Sequence, residues 1–290
     1  MNATRRLARL TMALNSTSSP SKGSHHPTQN LKAPRTLIDS SRRRMASTTS
    51  SSTASSSSSV EDKVLVVKNP EVKDTATVIL MHGLGDTARG WEDAAHFISA
   101  KLSHVKFILP TAPVVPVTLN QGMRMPAWYD LEGLDFRSNE KCAGIEASVE
   151  TINQIIAKEA ATRPYDRIMV AGFSQGGALS LYAGLQQKER LAGLVCMSGY
   201  LPKPTGLPLI DPSLHSMPVR LFHGTIDEVV KPEYARQTLK FLQEKGMEDV
   251  VLREYSGLPH SASVEELNDV KVFIEEVMPE GANPELQSSL

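Results

Sequence analysis

The chain has 290 residues, 40% of them hydrophobic, and a formal net charge of −1. That is enough apolar material for one sizeable core, and so even a charge balance excludes a general attraction to nucleic acid or acidic membranes. Cys142 and Cys196 are too few for a disulfide framework or a cysteine metal site, and no apolar run approaches the roughly 18 residues needed to span a bilayer.

Residues 1–60 are of a different composition. They carry Arg5, Arg6, Arg9 and further basic residues against the single acid Asp39, and they close in a serine- and threonine-rich run over 47–59. Such a segment cannot bury enough apolar surface to order itself, so a disordered extension is expected. Leu7, Leu10 and Leu14 would share a helical face opposite Arg5, Arg6 and Arg9, an acid-poor pattern that resembles an organellar transit peptide. Met45, followed by Ala46-Ser47-Thr48, offers an alternative start of translation. The expected location is the cytoplasm, with import into a mitochondrion or another organelle as the alternative. A folded domain is expected over 61–280 and a flexible tail over 281–290.

Within the folded part, strand and helix alternate. Lys63 to Val67 reads as a short strand, and Thr75 to Met81 as a β-branched one broken by His82-Gly83-Leu84-Gly85-Asp86. A helix follows over about 88–102 and a strand over Val105 to Leu109. Pro110, Pro113 and Pro116 then open a stretch, reaching roughly to Asn139, that is expected to be irregular; with Trp128 and Tyr129 inside it, it reads as a binding loop. Ala143 to Ala161 has helical periodicity. Next, Arg167 to Ala171 has the length and branching of a buried parallel strand, and Ala178 to Leu185 is a good helix former. Strands at Leu191 to Ser198, Val219 to His223 and Val250 to Tyr255 alternate with a helix from Pro232 to Lys245 and a final one ending near Val277. Pro232 suits a first helical turn, and Ser263 with Glu266 makes a capping box. Strict alternation implies an α/β fold, a mostly parallel central sheet flanked by helices on both faces.

Between the fourth of these strands and its helix lies Gly172-Phe173-Ser174-Gln175-Gly176-Gly177. This Gly-x-Ser-x-Gly pattern is weak alone, but at a strand-to-helix corner the flanking glycines let Ser174 project its hydroxyl above the sheet. A serine hydroxyl needs a base to take its proton and a carboxylate to orient that base. Asp227 leaves the strand Val219 to Phe222 in the right place for the acid, with Glu228 as its neighbour and rival, and His260 follows the last strand in the right place for the base. His223 is the other histidine to weigh, although it ends a strand only four residues before Asp227. For the oxyanion, one backbone N–H is expected from Gln175 at the positive end of its helix and the other from His82-Gly83-Leu84-Gly85, with Leu84 the best candidate.

Taken together, Leu80-Met81-His82-Gly83-Leu84-Gly85-Asp86-Thr87 with Trp91, Met125-Pro126-Ala127-Trp128-Tyr129-Asp130, the serine turn, His223-Gly224-Thr225-Ile226-Asp227 and His260-Ser261 resemble the acyl-protein thioesterases, the phospholipase/carboxylesterase branch of the α/β-hydrolases. The resemblance covers about residues 60–280. It implies an α/β-hydrolase fold, a triad of Ser174, Asp227 and His260, and removal of long acyl chains from protein cysteines, with overlapping activity on lysophospholipids and small esters. The acid loop departs from the family's usual Asp-x-Asp-Pro form, since Thr225-Ile226 precede Asp227 and Glu228 follows it. Two-step acyl transfer of this kind needs no metal or organic cofactor. Leu119, Met123, Met125 and Trp128 are expected to wall the acyl groove. S-acylated proteins are the expected partners, and for assembly the expectation goes no further than a weak homodimer. A general carboxylesterase or lysophospholipase is the alternative, and a catalytically dead binding protein on the same scaffold the more distant one.

Overall fold

The computed structural model describes residues 64–134, 141–203, 206–207 and 209–281; the extension over 1–60 and nearly all of the tail over 281–290 lie outside the described residues. The chain runs β1 (Val64–Val67), β2 (Ala76–Met81), a 3-10 turn (Ala88–Trp91), α1 (Glu92–Ser99), β3 (Val105–Pro110), β4 (Val114–Val117), β5 (Met123–Pro126), α2 (Ile145–Ala160), β6 (Ile168–Phe173), α3 (Gln175–Gly184), β7 (Gly193–Met197), β8 (Val219–Gly224), α4 (Pro232–Glu244), β9 (Val250–Tyr255) and α5 (Val264–Val277).

Seven strands form one sheet in the order β1-β3-β2-β6-β7-β8-β9. β1 runs antiparallel to β3, and β2–β3, β2–β6, β6–β7, β7–β8 and β8–β9 are all parallel. The winding goes outward from β2 to β3 and then restarts on the other side at β6. Their carboxyl ends therefore enclose the point where strand order reverses, which is where open α/β sheets bind their ligands.

Side-chain alternation along the strands divides the core in two. Val78, Leu80, Met169, Ala171, Val195 and Met197 pack on one face against Ala94, Ala95 and Ile98 of α1 and Leu267, Val270, Phe273 and Ile274 of α5. Ile79, Met81, Val170, Leu194 and Cys196 face the other way, against Ile152 and Ile156 of α2, Leu179 and Leu181 of α3, and Leu242 of α4. β6 is buried at every position because it is the central strand and covered on both faces.

The stretch after β3 is more ordered than expected. β4 and β5 pair as an antiparallel hairpin from Val114↔Pro126 to Val117↔Met123. Its prolines are compatible with pairing because a two-stranded ribbon consists of edges, where a missing N–H on the outer side breaks no ladder. The connecting turn uses Gln121 and Gly122, both at positive φ (56° and 78°). The reading of this region as wholly irregular failed because proline is a strong breaker signal only for a central strand.

Candidate active site

The corner between β6 and α3 is built by exclusion of side chains. A Cβ on Gly172 would lie 2.3 Å from the carbonyl oxygen of Gly176, and one on Gly176 would lie 2.4 Å from the carbonyl oxygen of Met81 and 2.5 Å from that of His82. Neither position tolerates even a methyl group without backbone movement. Ser174 itself sits at φ 53°, ψ −119°, a conformation that L-residues avoid. Its N–H donates to the Met197 carbonyl at 2.8 Å and its carbonyl accepts from Ala178 N–H at 2.9 Å, so both neighbouring strand and following helix hold the turn. The hydroxyl is left half-buried at the top of the sheet.

Two loops from later strands meet it there. His260, from the loop between β9 and α5, places Nε2 3.0 Å from Ser174 Oγ, and its Nδ1 lies 2.7 Å from Asp227 Oδ2. A carboxylate can only accept, so Nδ1 carries a proton, and in the neutral ring Nε2 then presents its lone pair to the serine hydroxyl. Asp227 is 3% exposed. Its other oxygen accepts the amides of Val229 (2.9 Å) and Val230 (2.8 Å). Burial alone would raise its pKa, but the hydrogen bonds from His223 and His260, the His260 charge and the Val230 amide outweigh that and hold it down at about 2. His223, weighed in sequence as a competing base, instead donates Nε2–H to the Val230 carbonyl at 2.7 Å and braces the acid loop, with Asp227 Oδ2 3.4 Å away. Glu228 points outward, exposed.

The loop after β2 crosses this corner. A Cβ on Gly83 would lie 3.4 Å from the Cβ of Ser174, and Gly85 has φ 77°. The Gln175 side chain reaches sideways, accepting Trp128 N–H at 2.9 Å and donating to the Tyr129 carbonyl at 2.8 Å.

Over residues 62–278 the sequence matches the family described as phospholipase/carboxylesterase. The chain belongs to this family. Acyl-protein thioesterase 1 of Mycosarcoma maydis is 41% identical over 235 residues, which span 75% of this chain and 98% of the relative. Acyl-protein thioesterase 1 homolog 2 of Dictyostelium discoideum is 38% identical over 71% of this chain and 94% of its own length. Among solved structures, acyl-protein thioesterase 2 of Zea mays aligns with a TM-score of 0.64 at 27% identity, covering 74% of this chain and 99% of that one. SOBER1 of Arabidopsis thaliana gives a TM-score of 0.64 at 30% identity over 70% and 99% of the two chains.

The other residues singled out in this phospholipase/carboxylesterase sequence fall into three groups. Leu84, Leu119 and Met125 are half-buried at the surface of the core, and Met125 Sδ lies 3.6 Å from where a Gly85 Cβ would be. Met123 is 65% exposed on the hairpin. Trp128, expected to wall a groove, is 2% exposed. Its indole N–H donates to the His82 carbonyl at 2.9 Å and its ring lies against the His82 ring, 5.1 Å between centroids. A buried indole needs an acceptor for its N–H, and finding one behind the glycine loop draws the ring into the core rather than toward a ligand.

Sequence reasoning also missed two buried groups. The His82 ring, read there only as part of a glycine turn, is fully enclosed. Glu266, expected as a capping residue and found as one, is fully buried too; burial chiefly, with the Asp269 and Asp227 charges adding and the Ser263 amide opposing, raises its carboxyl to about 8. A histidine directly before a glycine loop is the one sequence signal that could have flagged His82. Nothing local marks Glu266 as buried. Among the described residues, no group of three or more His, Cys, Asp or Glu side chains is arranged to hold a metal ion, and no helix is long and apolar enough to cross a membrane.

Proposed function

We propose that this protein is an acyl-protein thioesterase in which Ser174, His260 and Asp227 form the triad, and that residues 61–280 make up its catalytic unit between the extension 1–60 and the tail 281–290. The observation that carries the reading is the continuous hydrogen-bonded line from Asp227 through His260 to Ser174, ending at a half-buried hydroxyl on a glycine-crowded corner. The naming of relatives near 40% identity as acyl-protein thioesterases supports the substrate class.

The proposed reaction has two steps. Ser174 gives its proton to His260 Nε2 as Oγ bonds to the thioester carbonyl carbon, and the carbonyl oxygen takes the negative charge. The amides of Leu84 and Gln175 receive that oxyanion, the latter at the positive end of α3. The tetrahedral intermediate collapses, the C–S bond breaks, and His260 returns the proton to the departing cysteine sulfur. Water then gives a proton to His260 as its oxygen bonds to the acyl carbon, the ester C–O bond breaks, and His260 returns the proton to Ser174 Oγ as the fatty acid leaves. Asp227 stays ionised throughout and stabilises the imidazolium. A thiolate, with a free pKa of about 8.5, leaves more easily than an alkoxide, so selection among substrates falls on the acyl chain. Leu84, Leu119 and Met125 are the side chains proposed to cover it, each buried methylene contributing about 0.8 kcal/mol.

S-acylated proteins are thus the proposed substrates, with lysophospholipids and small esters as slower ones, and the site of action is the cytoplasm. The test compares kcat/KM for an S-palmitoyl peptide, a lysophospholipid and a short-chain ester on the full chain. The thioester should lead. A preference for either oxygen ester would make the protein a lysophospholipase or carboxylesterase, and silence on all three would leave a binding protein.

A further inference from the structure

Three successive peptide planes in the loop after β2 are each held by a hydrogen bond, two of them from outside the loop. The His82 carbonyl accepts the Trp128 indole N–H at 2.9 Å, the Gly83 carbonyl lies 2.7 Å from His82 Nδ1, and Gly85 N–H donates to the Pro126 carbonyl at 2.8 Å. A trans peptide is planar, with its C=O and N–H pointing in opposite directions. Holding the Gly83 oxygen against the His82 ring therefore turns the Leu84 N–H away from that ring.

Both ring nitrogens are committed. Nε2 accepts Ala112 N–H at 3.0 Å, so it bears no proton, and in the neutral ring Nδ1 does. The ring is 0% exposed. Burial lowers its pKa, against weaker opposing effects of the Gly83 carbonyl and the Asp86 charge, so the ring is neutral near pH 7.

We propose that His82 is a positioning residue for the reaction: its Nδ1–H, fixed as the tautomer by the Ala112 amide, sets the direction of the Leu84 N–H toward the oxyanion. The inference rests on the triad and oxyanion reading above. His82 acts through the loop and touches no substrate. Because the oxyanion exists only beyond the ground state, loss of the contact lowers kcat and spares KM.

The experiment uses the full chain with His82→Asn, whose amide can replace Nδ1 against the Gly83 carbonyl, and His82→Gln, whose amide reaches the Ala112 side instead. On an S-palmitoyl peptide, His82→Gln should lower kcat about 100-fold with KM changed by less than about twofold, and His82→Asn should recover about tenfold of that loss. Equal kcat for the two variants at equal folded fraction, or a loss carried by KM, overturns the assignment. Should either variant fail to fold, ring-nitrogen NMR of the wild-type chain decides: a protonated Nδ1 with a bare Nε2 supports the proposal, and the opposite tautomer or an imidazolium near neutral pH overturns it. Ser174→Ala runs in parallel. If it retains full turnover, the triad reading fails and this inference with it; if it is silent while both His82 variants match wild type, only the inference fails.

Discussion

Both ends of the sheet bury charged groups, and they use them differently. At the amino ends of the strands, Glu159 Oε2 takes the Thr77 hydroxyl at 2.7 Å, Lys106 at 2.7 Å and Arg163 at 3.4 Å, and Asp74 is held by Arg163 at 2.7 Å and Lys106 at 3.5 Å. Every partner there is a lysine, an arginine or a hydroxyl that donates, and none of them leads on to a nucleophile. At the carboxyl ends, Asp227 is also buried and also satisfied, but one of its bonds is to a histidine, whose other nitrogen reaches a half-buried serine. A buried carboxylate locks structure when it faces lysine and arginine; facing a histidine whose far nitrogen reaches an open hydroxyl, it is placed to support proton transfer.

The sharpest way to break this contrast is to show that either end does the other's work. Ser174→Ala should cost about 10⁶-fold in kcat, and Asp227→Asn about 10⁴-fold, with little change in unfolding midpoint for Ser174→Ala. Steady-state thioester hydrolysis beside thermal denaturation reads both. Glu159→Ala should do the reverse: about 3–5 kcal/mol less stability by urea unfolding, because Lys106 and Arg163 lose a buried partner, with kcat per folded molecule retained.

The pH dependence separates the two carboxyls on the reactive side. Glu266 in the folded chain keeps its proton to about 8, whereas its ordinary value is 4.5. The native state therefore binds more protons across that window, and stability falls as pH rises from 4.5 to about 8. Glu266→Gln should flatten that slope and gain on wild type at the alkaline end, measured by urea unfolding at several pH values. Asp227 works in the opposite sense: its pKa is depressed from 3.8 to about 2, so its contribution is present above 3.8 and is lost as pH falls through 2. The smallest effect belongs to the cap. Ser263 Oγ accepts Glu266 N–H at 3.0 Å, and Ser263→Ala should lose about 1 kcal/mol of stability without touching kcat.

Much of this was legible before any coordinates, for identifiable reasons. Alternation of apolar runs with amphipathic helices gave the parallel sheet because buried strands and helices differ in length and period. Ser174, Asp227 and His260 stood out because each sits in a loop at a strand's carboxyl end, where order along the chain fixes proximity. The hairpin β4–β5 was hidden by Pro116 and Pro126, whose breaker signal takes no account of edges. Trp128 was misread for a related cause: a large aromatic residue in a long loop is equally suited to a groove or to the core, and only the His82 carbonyl as a waiting acceptor decides between them. The Gln175 amide was invisible as a positioning group because its partner Trp128 lies 47 residues away in the chain, and His82 was marked only by its place before the glycine loop, since Ala112, which fixes its tautomer, lies 30 residues away.

The central claim is that Ser174, activated by His260 and Asp227, carries the acyl group. Rapid quenching of the full chain with an S-palmitoyl peptide, followed by mass spectrometry of its peptides, tests it most directly. The account predicts a palmitoyl adduct on Ser174 that forms faster than steady turnover and is absent from Ser174→Ala. Turnover with no adduct on Ser174, or an adduct on another residue that persists in Ser174→Ala, would contradict it.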